Sequence, residues 1–404
     1  MCRWPFEAHL IFSGRQMSGL SNGEWIKIMN QQMQKMESVH LASSHSAFDT
    51  RIFHKECKTL ANAGFKVTLI VPHELDEIVD GVWIRSVPLP GNGKERLSKT
   101  IGNIYRAALA ESPEAIFHFH DAEMIFHMFL LKIRGRKVIY DAHEDTPKQV
   151  MHQHWIPRVL RGPISLVMRV AEWLGGHVFD GIVVAEPGIL KRFHSKRTVL
   201  VHNFPLLNEL NPSDSTPYLE RPPRITYIGG ITRKRGIAEM LAAVSLLPVG
   251  LRAEIVLGGS FFPSTLQEDI RHMQGYDRAD VRGWLQRDQV SDLLASSRIG
   301  IVTLHPTEKY LNSYPTKLFE YMSAGLPVIA SDFPHWRQFV EEDRCGILVD
   351  PLAPQSIADA IQWMLENPEE AAAMGARGRT AVSQKYNWEQ DAPGLLALYN
   401  NVRM

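Results

Sequence analysis

Short apolar runs bounded by turn residues alternate with helix-length amphipathic stretches along most of the chain. That alternation predicts parallel sheets covered by helices. In the first half the runs "SVHLAS", "KVTLIV", "VWIRSV", "AIFHFH", "KVIYDA", "GIVVA" and "TVLVHN" read as strands. Between them lie helical stretches such as "TRIFHKECKTLANAG", closed by Gly64, a common helix terminator. The periodicity then stops over residues 203–223, "NFPLLNELNPSDSTPYLERPP", where proline, asparagine and serine crowd together as in a linker. A second series follows, with strands in "RITYIGG", "RAEIVLGG", "DVRGW", "RIGIVTL", "LPVIAS" and "CGILVD". The chain ends in helices containing "PQSIADAIQWMLEN", "EEAAAMGARGRTAVSQ" and "DAPGLLALYNNV". The economical architecture is α/β, with two Rossmann-like domains facing each other across a cleft. Ligands of such sheets bind beyond the carboxyl ends of the strands.

Composition agrees with two cores, since 404 residues with 45% apolar content exceed what one ordinary core holds. The 44 Lys and Arg balance the 44 Asp and Glu, so no global field points to nucleic acid or to a strongly acidic partner. Cys2, Cys57 and Cys345 are far apart and form no Cys-x-x-Cys pair, which predicts a reducing compartment. No apolar run reaches the roughly 18 residues that span a bilayer, and "HLIF" is too short for a signal-peptide core. A cytoplasmic protein is expected. Residues 1–35, rich in Gln, Met and Asn, show no strand pattern and read as a dispensable extension.

Candidate chemistry gathers at strand ends and helix starts. In "NSYPTKLFEYMSAGLPVIAS", Pro315 suits a first helical turn, so a helix should start near Thr316 with its free N–H groups and positive dipole end facing the cleft. Lys317 in that turn opposes the dipole, which makes sense beside an anion. Glu320, one turn on, is placed to accept from vicinal hydroxyls, or is simply an acidic residue early in a helix. In "YIGGITRKRG" a strand runs into Gly229 and Gly230, then Arg233, Lys234 and Arg235, the makings of a diphosphate site or of a solvated basic turn. It lacks the G-x-G-x-x-G spacing of a dinucleotide fingerprint. After the first strand, Ser43 to Asp49 form a polar loop in which Asp49 caps the next helix or meets a ligand. "HFHDAE" and "YDAHEDTP" put His118, His120, Asp121, His143 and Glu144 at the ends of two strands. A metal is one reading of that cluster. Strand alternation argues against it and leaves His118 as a core histidine.

"FDTRIFHKE", "YDAHED", the glycine and basic turn, and above all "PTKLFEYMSAGLPVIAS" resemble the family 4 glycosyltransferases of GT-B fold, from about Ser38 to the closing "YNWEQ". The resemblance implies transfer of a sugar from a nucleotide donor with retention, without an essential metal or other cofactor. It places Glu320 on the donor ribose, Arg233 and Arg235 on the diphosphate, and the Tyr314, Pro315, Thr316, Lys317 and Leu318 backbone near the phosphates. His143 would lie beside the transferred sugar, and Gly258, Gly259, Arg282 and Trp284 would line the base pocket. The loop with Ser44, His45 and Asp49 would close over diphosphate and acceptor, with His120, Asp121 and Glu144 on the acceptor side. Domains of residues 36–205 and 206–384 are expected, with a last helix, 385–404, crossing back to the first. One position departs: many members carry E-x7-E, and the first glutamate is here Asn312. An amide still bonds a sugar hydroxyl on the donor but supplies no negative charge, which weakens any double displacement through it.

The acceptor leaves a fainter trace. "IPRVLRGPISLVMRVAEWLGG", residues 156–176, mixes Arg158, Arg161 and Arg169 with Leu, Val, Met and Trp173 at near-helical spacing. Such a face lies in an anionic membrane interface or packs on a sheet. In the first case a lipid-linked saccharide at the inner face of the cell membrane, in polysaccharide or glycolipid assembly, is the natural acceptor. A nucleotide-sugar epimerase of similar shape, using Asp121 and Glu144, and a non-catalytic nucleotide-sugar-binding scaffold, motivated by Asn312, are the competing readings.

Overall fold

The computed structural model describes residues 36–403 apart from 154–155, 194–195, 208 and 211–215. The expected extension, 1–35, lies outside the described residues. Each apolar run read as a strand is one. The first sheet contains β1 (Glu37–Leu41), β2 (Lys66–Pro72), β3 (Glu77–Val79), β4 (Val82–Val87), β5 (Ile116–Phe119), β6 (Lys137–Ala142), β7 (Gly181–Val184) and β8 (Thr198–Leu200). Their spatial order is β3-β4-β2-β1-β5-β6-β7-β8, and only β3 is antiparallel to its neighbour. The second sheet contains β9 (Arg224–Ile228), β10 (Glu254–Gly258), β11 (Ala279–Gly283), β12 (Ile299–Val302), β13 (Val328–Ser331) and β14 (Gly346–Val349), in the order β11-β10-β9-β12-β13-β14, all parallel. Near-continuous apolar strands are what a sheet covered on both faces requires.

Register sorts the side chains of the first sheet. Val39 and Leu41 face one core with Phe117, Phe119 and Tyr140, whereas Leu69, Ile116 and Ile139 face the other with Phe53, Trp388 and Tyr399. The last helix, Trp388–Arg403, packs on this second face. Trp388 Nε1 donates to Thr59 Oγ1 (2.8 Å), and Asp391 accepts from the His202 backbone N–H (2.7 Å). Between the two sheets, Phe204 from the linker enters the core of the second and stacks near Tyr314.

The helix after β1 opens with an unexpected winding. Asp49 accepts from the backbone N–H groups of Arg51 and Ile52 (2.8 and 3.0 Å) and so caps Thr50–Cys57, a π-helix that runs on into Lys58–Asn62. The wide turn buries Arg51, Lys55 and Glu56 together with Ile52 and Phe53 on the side facing the sheet.

Candidate functional site

Strand order reverses between β1 and β5 in the first sheet and between β9 and β12 in the second, and a crevice opens at such switch points. Two adjoining cavities of about 180 and 280 Å³ lie where these crevices face each other. Arg51, His143, Asn203 and Thr316 line both. Glu144, Glu186, Tyr314 and Phe319 complete one, and His45, Asp49, Lys317 and Glu320 the other.

On the second-domain wall the helix is Thr316–Ser323, and Pro315 stands just before it with ψ 99°. The Leu318 N–H turns back to the Pro315 carbonyl (2.9 Å), so the donors left at the positive helix end are those of Thr316 and Lys317. Lys317 runs back across Gly229. A Cβ on that glycine would fall 2.0 Å from Lys317 Cε, and its φ of 126° suits glycine alone. Burial, then the nearby Arg235, push the Lys317 amine down to about 8. Arg235 is held over the turn by a bond to the Gly230 carbonyl (3.0 Å). Two crowded cations at a helix start form a strong seat for a multivalent anion. Glu320 is fixed from behind, its Oε1 accepting from Arg287 (2.8 Å) while Arg287 also donates to Glu209 (2.7 Å). Among the described residues, the second Glu320 oxygen has no hydrogen-bond or ion-pair partner.

The first-domain wall rests on a buried polar row. His40, His118, His120 and Asp141 occupy neighbouring strands in register on one face, above Arg51, Glu56 and Tyr399. Burial opposes ionisation of Asp141, yet the Arg51 guanidinium, donating Nε and Nη2 (2.9 and 2.8 Å), holds the carboxyl well below its ordinary range. An ionised carboxylate only accepts. Asp141 therefore accepts hydrogen bonds from Nδ1 of both His120 and His143 (3.1 Å each), and the His143 ring turns its Nε2 away from Asp141. The same rule orders the row behind. His120 Nε2 accepts from His40 Nδ1 (2.9 Å), His40 Nε2 from the Tyr399 hydroxyl (3.2 Å), and the Tyr399 oxygen from His118 Nδ1 (2.9 Å). Burial keeps His40, His118 and His120 neutral.

His118 is thus the core histidine expected, although it shares a face with His120, two residues on, rather than opposing it. His120 lies under the cleft floor and not on its surface, which removes it from direct acceptor contact. Among the described residues, His40, Glu56, His118 and His120 have donor atoms within 4.8 Å of one another, close enough to surround a metal ion. The histidine bonds just described would have to give way to one.

The β1 loop is tied to Asp121, which accepts from the backbone N–H groups of Ser43 and Ser44 (2.6 and 3.1 Å) and from the Ser44 hydroxyl. Burial works against a charge on His45, but its contact with Asp121 (3.1 Å) lifts it to about 9. Exposed pairs bridge the cleft: Lys148 with Glu308 (2.8 Å) and Glu144 with Lys309 (3.7 Å), each of a kind contributing under about 1 kcal/mol.

Several residues expected on the donor lie outside the two cavities. Arg233 pairs with Asp269 (2.9 Å), Arg282 pairs with Asp280 (2.8 Å), and Trp284 is 74% exposed. Asn312 folds back onto the Glu308 carbonyl (3.0 Å), and the Leu318 backbone N–H, expected near the phosphates, is used by the Pro315 carbonyl (2.9 Å). Gly258 and Gly259 lie at the end of β10, where a Cβ on Gly259 would fall 2.1 Å from the Gly229 carbonyl oxygen. None of these lines the two cavities. Conversely, Arg51, Asn203, Arg287 and Glu186 escaped the sequence reading. Glu186 stands just past the end of β7, the position that the strand-end rule singles out, and accepts from the Tyr314 backbone across the cleft. Burial pushes it up to about 7.

Comparison with known proteins agrees with this geometry. The family model described as glycosyl transferases group 1 matches residues 213–381. A D-inositol 3-phosphate glycosyltransferase of Xylanimonas cellulosilytica is 26% identical over 180 residues, which is 44% of this chain and 42% of that protein. The match therefore spans less than half of that relative. A phosphatidyl-myo-inositol mannosyltransferase of Mycobacterium leprae is 22% identical over 79% of this chain and 82% of its own length. The solved HepE protein of Anabaena, in complex with UDP-glucose, superposes with a TM-score of 0.68 at 13% identity, covering 90% of this chain and 99% of that one. The two sheets and their cleft have the GT-B fold, and residues 213–381 belong to the glycosyl transferases group 1 family.

Proposed function

We propose that the protein transfers a hexose-type sugar from a nucleoside diphosphate sugar to a saccharide or lipid-linked saccharide acceptor in polysaccharide or glycolipid biosynthesis. The observation that carries this is the wall formed by the Thr316 helix start and Lys317, which faces His143 across the cavities and has Arg235 close enough to act on the Lys317 amine. Breaking the bond between sugar and diphosphate develops negative charge on the leaving oxygen, and fixed cations and helix dipoles stabilise it without reorganising. Lys317, Arg235 and the Thr316 and Lys317 N–H groups would hold the diphosphate, while Glu320, pinned by Arg287, would accept from the ribose hydroxyls. His143 would offer its Nε2 to a sugar hydroxyl. Attack on the leaving-group face, with a diphosphate oxygen taking the acceptor proton, gives retention. That route needs no carboxylate at Asn312 and draws on no resident cofactor.

The acceptor reading rests on the helix Arg158–Val178. Val159, Leu166, Val167, Val170 and Trp173 are exposed along it beside Arg158 and Arg169, as on helices that lie in an anionic membrane surface. No helix among the described residues is long and apolar enough to cross a membrane. Docking of this face at the inner membrane surface would bring lipid-linked acceptors to the cleft.

The test is a donor panel, with and without membrane lipid extract, following free nucleoside diphosphate and sugar transfer. Lipid-dependent turnover of one donor, abolished in Glu320→Ala, is expected. Binding without turnover across a broad acceptor panel would sink the proposal, as would acceptor-free change of the sugar.

A further inference from the structure

Beyond the cleft, the same loop that carries His143 and Glu144 continues into a second hollow of about 370 Å³, lined by Asp145, Lys148, Arg169, Glu172, Trp173, Lys191 and Arg192. Four cations face two carboxylates there. Both carboxylates are taken: Arg192 pairs with Asp145 (2.7 Å) and with Glu172, and Lys148 with Asp145 and Glu308 (3.6 and 2.8 Å). Arg169 and Lys191 have no ion-pair partner among the described residues. Trp173, 58% exposed, stands one helical turn from Arg169, where the hollow meets the apolar crest of Leu166, Val167 and Val170.

We propose that this hollow binds the phosphate of an anionic membrane lipid, with Arg169 and Lys191 on the phosphate and Trp173 at the interface between head group and chains. The inference rests on the glycosyltransfer reading and deepens it: the acceptor is a phosphate-bearing amphiphile. Charge decides the occupant. A second copy meeting this face with its two-fold axis through the hollow would set Arg169 and Lys191 against their own equivalents, whereas a lipid phosphate neutralises both and leaves its chains on the apolar crest. Only Glu144 separates Asp145 from His143 along the chain, so a lipid held here presents its head group toward the cleft.

The test is sedimentation of the whole protein with neutral phosphatidylcholine vesicles and with vesicles that also contain phosphatidylglycerol, alongside calorimetric binding of UDP, GDP and inorganic phosphate. Binding to the anionic vesicles is expected. Reversing both charges, Arg169→Glu with Lys191→Glu, should lower it by at least about 30-fold, the loss from removing two cations at roughly fivefold each at a membrane surface, with nucleotide affinity unchanged. Arg169→Lys should retain it. Reversal of the remote exposed pair Arg252 and Arg271 should change it little. Equal loss from the remote pair overturns the site in favour of diffuse attraction. Absence of vesicle binding overturns the lipid, and phosphate ion bound by Arg169 and Lys191 without vesicle binding assigns the hollow to a soluble phosphate instead. If nucleotide binding is missing as well, the glycosyltransfer reading fails with it.

Discussion

Replacing Glu186 by glutamine should stabilise the protein above pH 7 and leave it unchanged below pH 4.5. Glu186 is half-buried at the cleft, and burial raises its carboxyl from the ordinary 4.5 to about 7. Between those values the folded chain keeps a proton that the unfolded chain releases, so rising pH favours the unfolded state. The wild type therefore loses stability from pH 4.5 to about 7 and loses no more beyond. The span of about 2.5 pH units, at 1.36 kcal/mol per unit, gives a ceiling of about 3 kcal/mol. Glutamine keeps an oxygen for the Tyr314 N–H but cannot ionise. Urea denaturation of both proteins across this range should show a gap that is near zero at the acid end, widens through the interval and then levels. A gap of constant size across the range, or one that favours the wild type at high pH, would show that Glu186 titrates as an ordinary surface acid and that the buried-cleft argument is wrong.

His45 behaves with the opposite sign. Its folded value lies above the ordinary 6.5, so the stability of its contact with Asp121 is full below 6.5 and disappears as pH rises through about 9, and an NMR titration of the ring should report that midpoint. Gly229→Ala drives a methyl into Lys317 and forces φ of 126° on alanine. We expect a loss of roughly 1–3 kcal/mol and weaker nucleotide binding, read by denaturation and calorimetry. Trp388→Ala empties a site only 2% exposed and removes the bond to Thr59, at a cost of about 3–5 kcal/mol. Faster amide exchange along Trp388–Arg403 should accompany it.

The strands were legible because parallel strands covered on both faces are continuous apolar runs that end at turn residues. The omission of β3 had a visible signal: Asp80-Gly81, with φ of 50° and 80°, is a tight hairpin turn between Glu77–Val79 and Val82–Val87. The second-domain wall was legible because its chemistry sits in two contiguous stretches, Gly229 to Gly236 and Tyr314 to Glu320. Even there one turn divides neighbours. The 3₁₀ turn Arg233–Arg235 sends Arg233 out to Asp269 and Arg235 back over Gly230, and no pattern of residue types separates two arginines that the backbone separates.

The first-domain wall was hidden for a different reason: it is assembled across the sheet. Arg51 comes from a π-wound turn, Asp141 from β6, His40 and His120 from two other strand ends, and Tyr399 from the last helix. Short windows contain His118 with His120 and Asp141 with His143, but the bonds that join His120 to His40 and Asp141, and His40 to Tyr399, cross from one element to another. Yet the row determines what His143 presents to the cleft, because ionised Asp141 can only accept and thereby fixes the proton on Nδ1. The last helix then does more than cover a sheet. By filling the space beside His40 and His118 with the Tyr399 hydroxyl, it satisfies polar groups that would otherwise stand unpaired in the core. An unpaired group of this kind costs about 1–3 kcal/mol. The end of the chain and the floor of the cleft are held by one hydrogen-bonded structure.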